Sequence, residues 1–291
     1  MLVLVMASCQ PKTTVVTPPE YIAEIDAWHA ARVEELKGPS GWLNIAGLFW
    51  LHDGINAFGT TADNDVIFPP ALEAEHAGYF ILDKGAVRQS LLPGTLVSRK
   101  GKPVGQLETV FNPDSSRQPV MEHGPLRWFI IRRDTKFGVR LRNLEHPNLA
   151  TFPGIDRFPV DAEWKVVARF EETPGRTIPI TNVLGQTTDQ AAPGTLVFTL
   201  KGKEYRLDAL DEGADELFII FGDATNARQT YGAGRYLYVP LPDSAGQVIV
   251  DFNKAENPPC AFTEFVTCPL PPIQNVLELS IEAGEKNFGH H

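Results

Sequence analysis

Proline and glycine interrupt this chain at short intervals along its whole length, with 24 of each in 291 residues. Proline fixes φ and removes a backbone donor, and glycine favours turns, so uninterrupted segments run to about ten residues. That spacing suits many short strands and excludes a solenoid or coiled coil. One stretch escapes it. In PPEYIAEIDAWHAARVEELKG, Ile22, Ile25, Ala27, Val33 and Leu36 recur at roughly helical spacing between Pro19 and Gly38. The expectation is a mainly β protein, an N-terminal helix followed by two packed β-sandwich or barrel-like units.

After the helix, assigned to residues 21–40, WLNIAGLFWL, INAFG and DVIFPP read as strands or bends. GYFILDKGAVRQSL reads as a hairpin across 83–85, and TLVSRKGKPVGQLE as a hairpin across 100–102. LRWFIIRR and FGVRLRN close a first unit at 41–148. The stretch 146–164 holds three prolines and no period, which marks a boundary. A second unit at 149–291 contains WKVVARFEE, TIPITNVLG, TLVFTLKGKEYRLDAL, ELFIIFGD, RYLYVPL and GQVIVDFN as strands and hairpins.

The formal charge of −10 repels a phosphate backbone and argues against a nucleic-acid partner. The one basic cluster, Arg127, Arg132, Arg133, Arg140 and Arg142, alternates with apolar residues and reads as the wet face of a hairpin. The start, MLVLVMASC, resembles a bacterial lipoprotein signal, a short apolar run ending in small residues before cysteine. The resemblance implies cleavage before Cys9 and lipid attachment to its thiol, although no Lys or Arg precedes the run. Residues 1–20 would then be signal and tether, the location periplasmic or cell-envelope, and the only membrane attachment a lipid anchor. The alternative is a cytosolic protein with a mildly apolar start.

Conventional catalytic signatures are absent: there is no G-x-S-x-G, no H-E-x-x-H and no P-loop. GAGRYL lacks the third glycine of a dinucleotide fingerprint, and the scattered histidines lack metal-ligand spacing, so neither cofactor nor metal is expected. The C-terminal third is denser in chemistry. FGDATNARQTYGAGRYL, DFNKAENPPCAFTEFVTCPLPPIQN and IEAGEK carry acids, amides and cations between prolines.

Two resemblances follow from these motifs. FGTTADNDVIFPPALEAEHAGYFIL is similar to the core of a forkhead-associated domain, a β-sandwich that binds phosphothreonine peptides. The ligand-binding residues do not carry over: Thr60 follows the turn Gly59 where that family has Arg, and Glu73 stands where it has Ser. A carboxylate there would repel phosphate, so a phosphothreonine partner is disfavoured and His76 reads as structural. The three C-terminal motifs, with GWLNIAGLFWLHDGINAFG upstream, resemble the bacterial family catalogued as domain of unknown function 1684, over nearly all of residues 21–286. That resemblance implies no activity.

The residues are therefore read physically. Gly232 and Gly234 permit a tight turn that aims Tyr231 and Arg235, and Arg235 can pair with Asp223 or Asp251. One reading is a polar latch that staples an irregular C-terminal segment over the fold. The other is a pocket in which Tyr231, Arg235, Asn253, Asn257 and Lys286 hold a ligand and Asp223, Asp251 or Glu285 serves as acid or base. Cys260 and Cys268 suit a disulfide outside the cytoplasm, with free thiols or a metal pair as alternatives. The functional expectation is an envelope lipoprotein that binds a polar or anionic small molecule, glycan or envelope partner. A carboxylate-dependent envelope hydrolase and a structural scaffold are the alternatives.

Overall fold

A computed structural model of the chain describes residues 16–213 and 215–288; Cys9 and the signal-like start lie outside them. The helix Pro19–Lys37 opens with Pro at its first turn and an acid, Glu20, beside it. It ends where the Gly38 N–H bonds the Glu34 and Glu35 carbonyls. Its buried side chains are Tyr21, Ile25, Arg32 and Leu36, one stripe at about helical period. Ile22, expected in that stripe, is exposed, and an arginine occupies the buried face instead. No helix among the described residues is long and apolar enough to cross a membrane.

Two sheets form the first unit. Ile45–Trp50, Lys136–Asn143 and Leu126–Arg133 lie antiparallel in one, with the short strands Met121–His123, Ser98–Arg99 and Lys102–Pro103 extending it. The other contains Val66–Ile67, Gly54–Gly59, Gly78–Asp83, Ala86–Leu91 and Leu107–Phe111. Between them pack Phe58, Phe68, Phe80, Trp128, Val139 and Leu141. Both expected hairpins turn on Lys-Gly pairs with positive φ, Lys84–Gly85 and Lys100–Gly101, the requirement of a tight two-residue turn. His76 Nδ1 lies 3.3 Å from Asn64 Oδ1, an oxygen that can only accept, and the ring stands half-exposed beside Asp63.

The basic cluster departs from the sequence expectation. Arg132 and Arg133 are solvated, but Arg140 and Arg142 are buried on the outer face of their sheet. That face is covered because Arg142 packs over the Trp42 ring and Arg133 hydrogen-bonds Thr267 of the second unit. Alternation in a strand identifies a face but not what lies against it.

A short helix, Pro147–Thr151, and an irregular stretch lead into the second unit. Six antiparallel strands run in the order Arg235–Pro240, Glu216–Phe221, Lys203–Asp211, Gly194–Leu200, Lys165–Glu172, Gln247–Asp251. The first and last approach one another, making a nearly closed barrel. Inside it are Leu196, Leu207, Ile219, Phe221, Leu237, Val250 and Phe252, joined by Leu277, Ile281 and Ala283 of the C-terminal tail. A two-stranded ribbon, Thr177–Thr181 with Thr187–Ala191, covers Leu210, Phe218 and Ile220 on the outside.

Candidate functional site

Along Arg235–Pro240, alternate residues face opposite sides. Leu237 and Val239 join the barrel interior with Arg235 at the strand's start, while Tyr236 packs outside with Phe218. Gly234 precedes Arg235 at φ +91°, and a Cβ there would collide with Pro271 and the Phe221 carbonyl, so only glycine fits. Arg235 has no solvent exposure. Its Nη2 donates to Asp223 Oδ2 at 2.7 Å and to the Ile281 carbonyl at 2.9 Å, and Nη1 donates to the Ala283 carbonyl. Asp223 Oδ1 accepts from Thr225 Oγ1 at 2.6 Å, the Thr225 N–H at 2.8 Å and the Ile281 N–H at 3.3 Å. The pair thus ties the tail across the barrel mouth and leaves no face open to a ligand.

The segment that follows Gln247–Asp251 makes a second set of ties. Asp251 accepts the Tyr21 hydroxyl at 2.7 and 2.8 Å, and Asn253 Nδ2 donates to the Tyr21 oxygen at 3.0 Å and the Asp161 carbonyl at 2.9 Å. Burial and the Asp251 carboxylate push the Tyr21 phenol far above its ordinary range, so it stays a donor. Asn257 donates its backbone N–H to Glu285 Oε2 at 2.6 Å and its amide to the Lys286 carbonyl at 2.7 Å. Asn253 and Asn257 therefore position backbone. Lys286 lies over the Phe158 ring, 5.0 Å from its centroid. Tyr231 packs beside Leu36, Leu43 and Phe262 on another flank.

The open space is elsewhere. A cleft of about 700 Å³ lies between the helix Pro19–Lys37 and the outer wall of the barrel. Trp28, Trp42 and Tyr238 supply aromatic surface to it, and Glu35, Glu216, Asp251 and Glu256 supply carboxyl groups. Tyr238 is 43% exposed, yet its ring is stacked on Phe218 at 4.9 Å, which holds it as a flat platform.

At the base of this cleft Arg32 reaches across from the helix. Its Nε lies 3.1 Å from Glu256 Oε2 and 3.6 Å from Glu285 Oε1, with Glu285 fully buried and Glu256 12% exposed. Two carboxyl groups around one guanidinium cannot both be well compensated. Burial raises both, and for Glu256 the value is pushed up to about 8, with Glu285 and Glu35 adding repulsion against the attraction of Arg32. Glu256 thus presents a carboxylic acid near neutral pH, at a position where an incoming group can reach it.

Of the residues singled out in the sequence, Asp251 alone lines this cleft, while Asp223, Arg235, Asn257 and Glu285 form the buried ties beneath and beside it. Trp28, Arg32, Trp42, Tyr238 and Glu256 were not singled out. Glu256 stands inside the DFNKAENPPC motif between Lys254 and Asn257, and that motif was the available signal. Arg32 had a signal too, as a charge on the otherwise apolar stripe that contains Ile25 and Leu36. Cys260 and Cys268 face one another with Cα atoms 6.1 Å apart, a separation a disulfide spans.

No curated protein sequence matches the chain. Among solved structures, the solution NMR structure of an uncharacterized protein of Haloarcula marismortui is similar, with 29% identity over 47% of this chain and 78% of that one, at a TM-score of 0.40. The barrel and its tail match a family model over residues 150–286, so the upstream motif GWLNIAGLFWLHDGINAFG lies outside the matched region. Residues 150–286, which contain Asp223, Arg235, Asp251, Glu256 and Glu285, match the family described as protein of unknown function (DUF1684).

Proposed function

We propose that the cleft between the N-terminal helix and the barrel binds a neutral polyhydroxylated ligand, a glycan. The observation that carries this reading is the convergence of Trp28, Trp42 and Tyr238 with Glu35, Asp251 and Glu256 on one open space. Aromatic faces take up the apolar C–H faces of a sugar ring, and carboxyl groups exchange hydrogen bonds with its hydroxyls. An anionic ligand is a poorer fit. Arg32 is engaged by two carboxyl groups, Lys254 pairs with Glu24 at 2.9 Å, and Lys165 lies over the Tyr21 ring. The tests are thermal shift and tryptophan fluorescence against a panel of soluble oligosaccharides, with Trp28→Ala as the control. At least one glycan should raise the melting temperature, with affinity falling about tenfold in the variant. A panel without any effect, or an unchanged affinity in Trp28→Ala, sinks the reading.

A second reading is favoured by Glu256 alone. A carboxyl group protonated near neutrality at a cleft wall suits general-acid hydrolysis of the bound glycan. Glu256→Gln would then abolish turnover while leaving affinity within a fewfold.

The setting we propose is the cell envelope, with the protein held by lipid on Cys9, because the opening sequence has the lipoprotein pattern. The facing Cys260 and Cys268 support the same setting, as a disulfide closing that loop would persist outside the cytoplasm. Palmitate labelling that Cys9→Ala abolishes would support the anchor. Unlabelled protein in the soluble cytosolic fraction would remove it.

A further inference from the structure

The outer face of the first unit's larger sheet carries Arg133, Arg140 and Arg142, while the acid Glu122 on that face stands across from Arg127 on another strand pair. In the strand Lys136–Asn143, Arg140 and Arg142 share one face, opposite the side that delivers Val139 and Leu141 to the sandwich core. Arg140 stands across from Leu48 on one neighbouring strand and Phe129 on the other, so its flanks are apolar.

The three nearest guanidinium groups differ in what occupies them. Arg142 donates to the Gly41 carbonyl and, at 2.7 Å, to Asn44 Oδ1, and packs over Trp42. Arg133 donates Nε to Thr267 Oγ1 at 3.1 Å and Nη1 to the Arg132 carbonyl at 3.0 Å. Among the described residues Arg140, only 6% exposed, has no acceptor for its buried Nε. The charges acting on it are those of Arg133 and Arg142, and none is a carboxylate.

Burial and those two neighbours push Arg140 down to about 10, so it remains a cation at neutral pH. A buried cation without a partner is strongly disfavoured, and a protein normally places an acid beside it. This chain has 36 acidic residues, so acids are not scarce; none has been placed here. The planar fork of an arginine matches two coplanar oxygens of a carboxylate, phosphate or sulfate. Two further guanidinium groups nearby favour the more highly charged of these.

We propose that Arg140, with Arg133 at the solvent side and Arg142 behind, binds a small divalent oxyanion of the phosphate or sulfate class. The site lies where the sandwich meets the loop that carries Thr267. It adjoins the glycan cleft only through Trp42, over which Arg142 packs, and does not depend on that reading.

The test uses the full chain and inorganic phosphate, sulfate, acetate and chloride at matched ionic strength, by thermal shift and calorimetry. Phosphate or sulfate should raise the melting temperature saturably, and acetate and chloride should not. Arg140→Met should weaken phosphate binding at least tenfold. Arg133→Met, at an exposed position, should weaken it severalfold and keeps the test decisive if Arg140→Met fails to fold. A wild-type protein indifferent to phosphate and sulfate would overturn the site. So would an unaltered phosphate affinity in Arg133→Met, and acetate acting as strongly as phosphate would overturn the assignment to a dianion.

Discussion

Arg235 and Asp223 meet at 2.7 Å with both side chains at 0% exposure, and between them they hold the Ile281 and Ala283 carbonyls and the Ile281 N–H. This ion pair is the fastener of the C-terminal tail. Removing one partner leaves the other charged, buried and alone. Asp223→Ala should cost about 3–5 kcal/mol in urea unfolding, and the double variant with Arg235→Ala less than the two single losses added. A loss under about 1 kcal/mol from Asp223→Ala would mean that the tail is held by apolar packing alone.

Tyr21 ties the helix to the barrel through Asp251. Tyr21→Phe leaves that carboxylate with only Asn253 as its donor among the described residues, and should cost about 1–3 kcal/mol. Amide exchange in Pro19–Lys37 should accelerate relative to the barrel strands. Equal acceleration everywhere would show a global loss and not a released helix.

The Glu256 carboxyl gives the stability a definite pH dependence. Its folded value, about 8, lies above the ordinary 4.5, so the folded state holds a proton that the unfolded chain gives up. The contribution is fully present below about pH 4.5 and is lost as pH rises through about 8. Wild-type stability should therefore decline across that window, and Glu256→Gln should flatten the decline. Parallel curves for the two proteins would show that Glu256 is not the group responsible.

Protein purified without reductant should take up no alkylating agent at Cys260 or Cys268 until it is reduced. The loop between them is short, so the bridge should add about 2–3 kcal/mol, lost in Cys260→Ala/Cys268→Ala. Two reactive thiols in periplasmic material would dismiss the bridge.

How much was legible beforehand depended on the range of the interaction. The helix was marked by Pro19, Gly38 and its apolar spacing, all within its own span. The hairpins at Lys84–Gly85 and Lys100–Gly101 were legible because positive φ is a local demand that glycine meets. The pairing of Arg235 with Asp223 was one of two options, since Asp223 and Asp251 flank it at comparable distances along the chain. Arg32's place on the buried stripe had a local signal, but its partners did not, because Glu256 and Glu285 lie more than 200 positions away and only the docking of the helix brings them to it.

The sequence by itself determined a chain of short strands behind one helix, and it located a C-terminal segment crowded with polar residues. Both follow from local chemistry: turn residues, strand alternation and the pinning of backbone by proline. The tertiary structure alone decided what those polar residues face. It turned Asp223, Arg235 and Glu285 inward as fasteners, opened Glu256 and Asp251 to a cleft walled by Trp28, Trp42 and Tyr238, and buried Arg140 where the alternation pattern had suggested water. A side chain's charge is written in the sequence. Its solvation is set by whichever distant surface packs against it, and solvation separates a latch from a site.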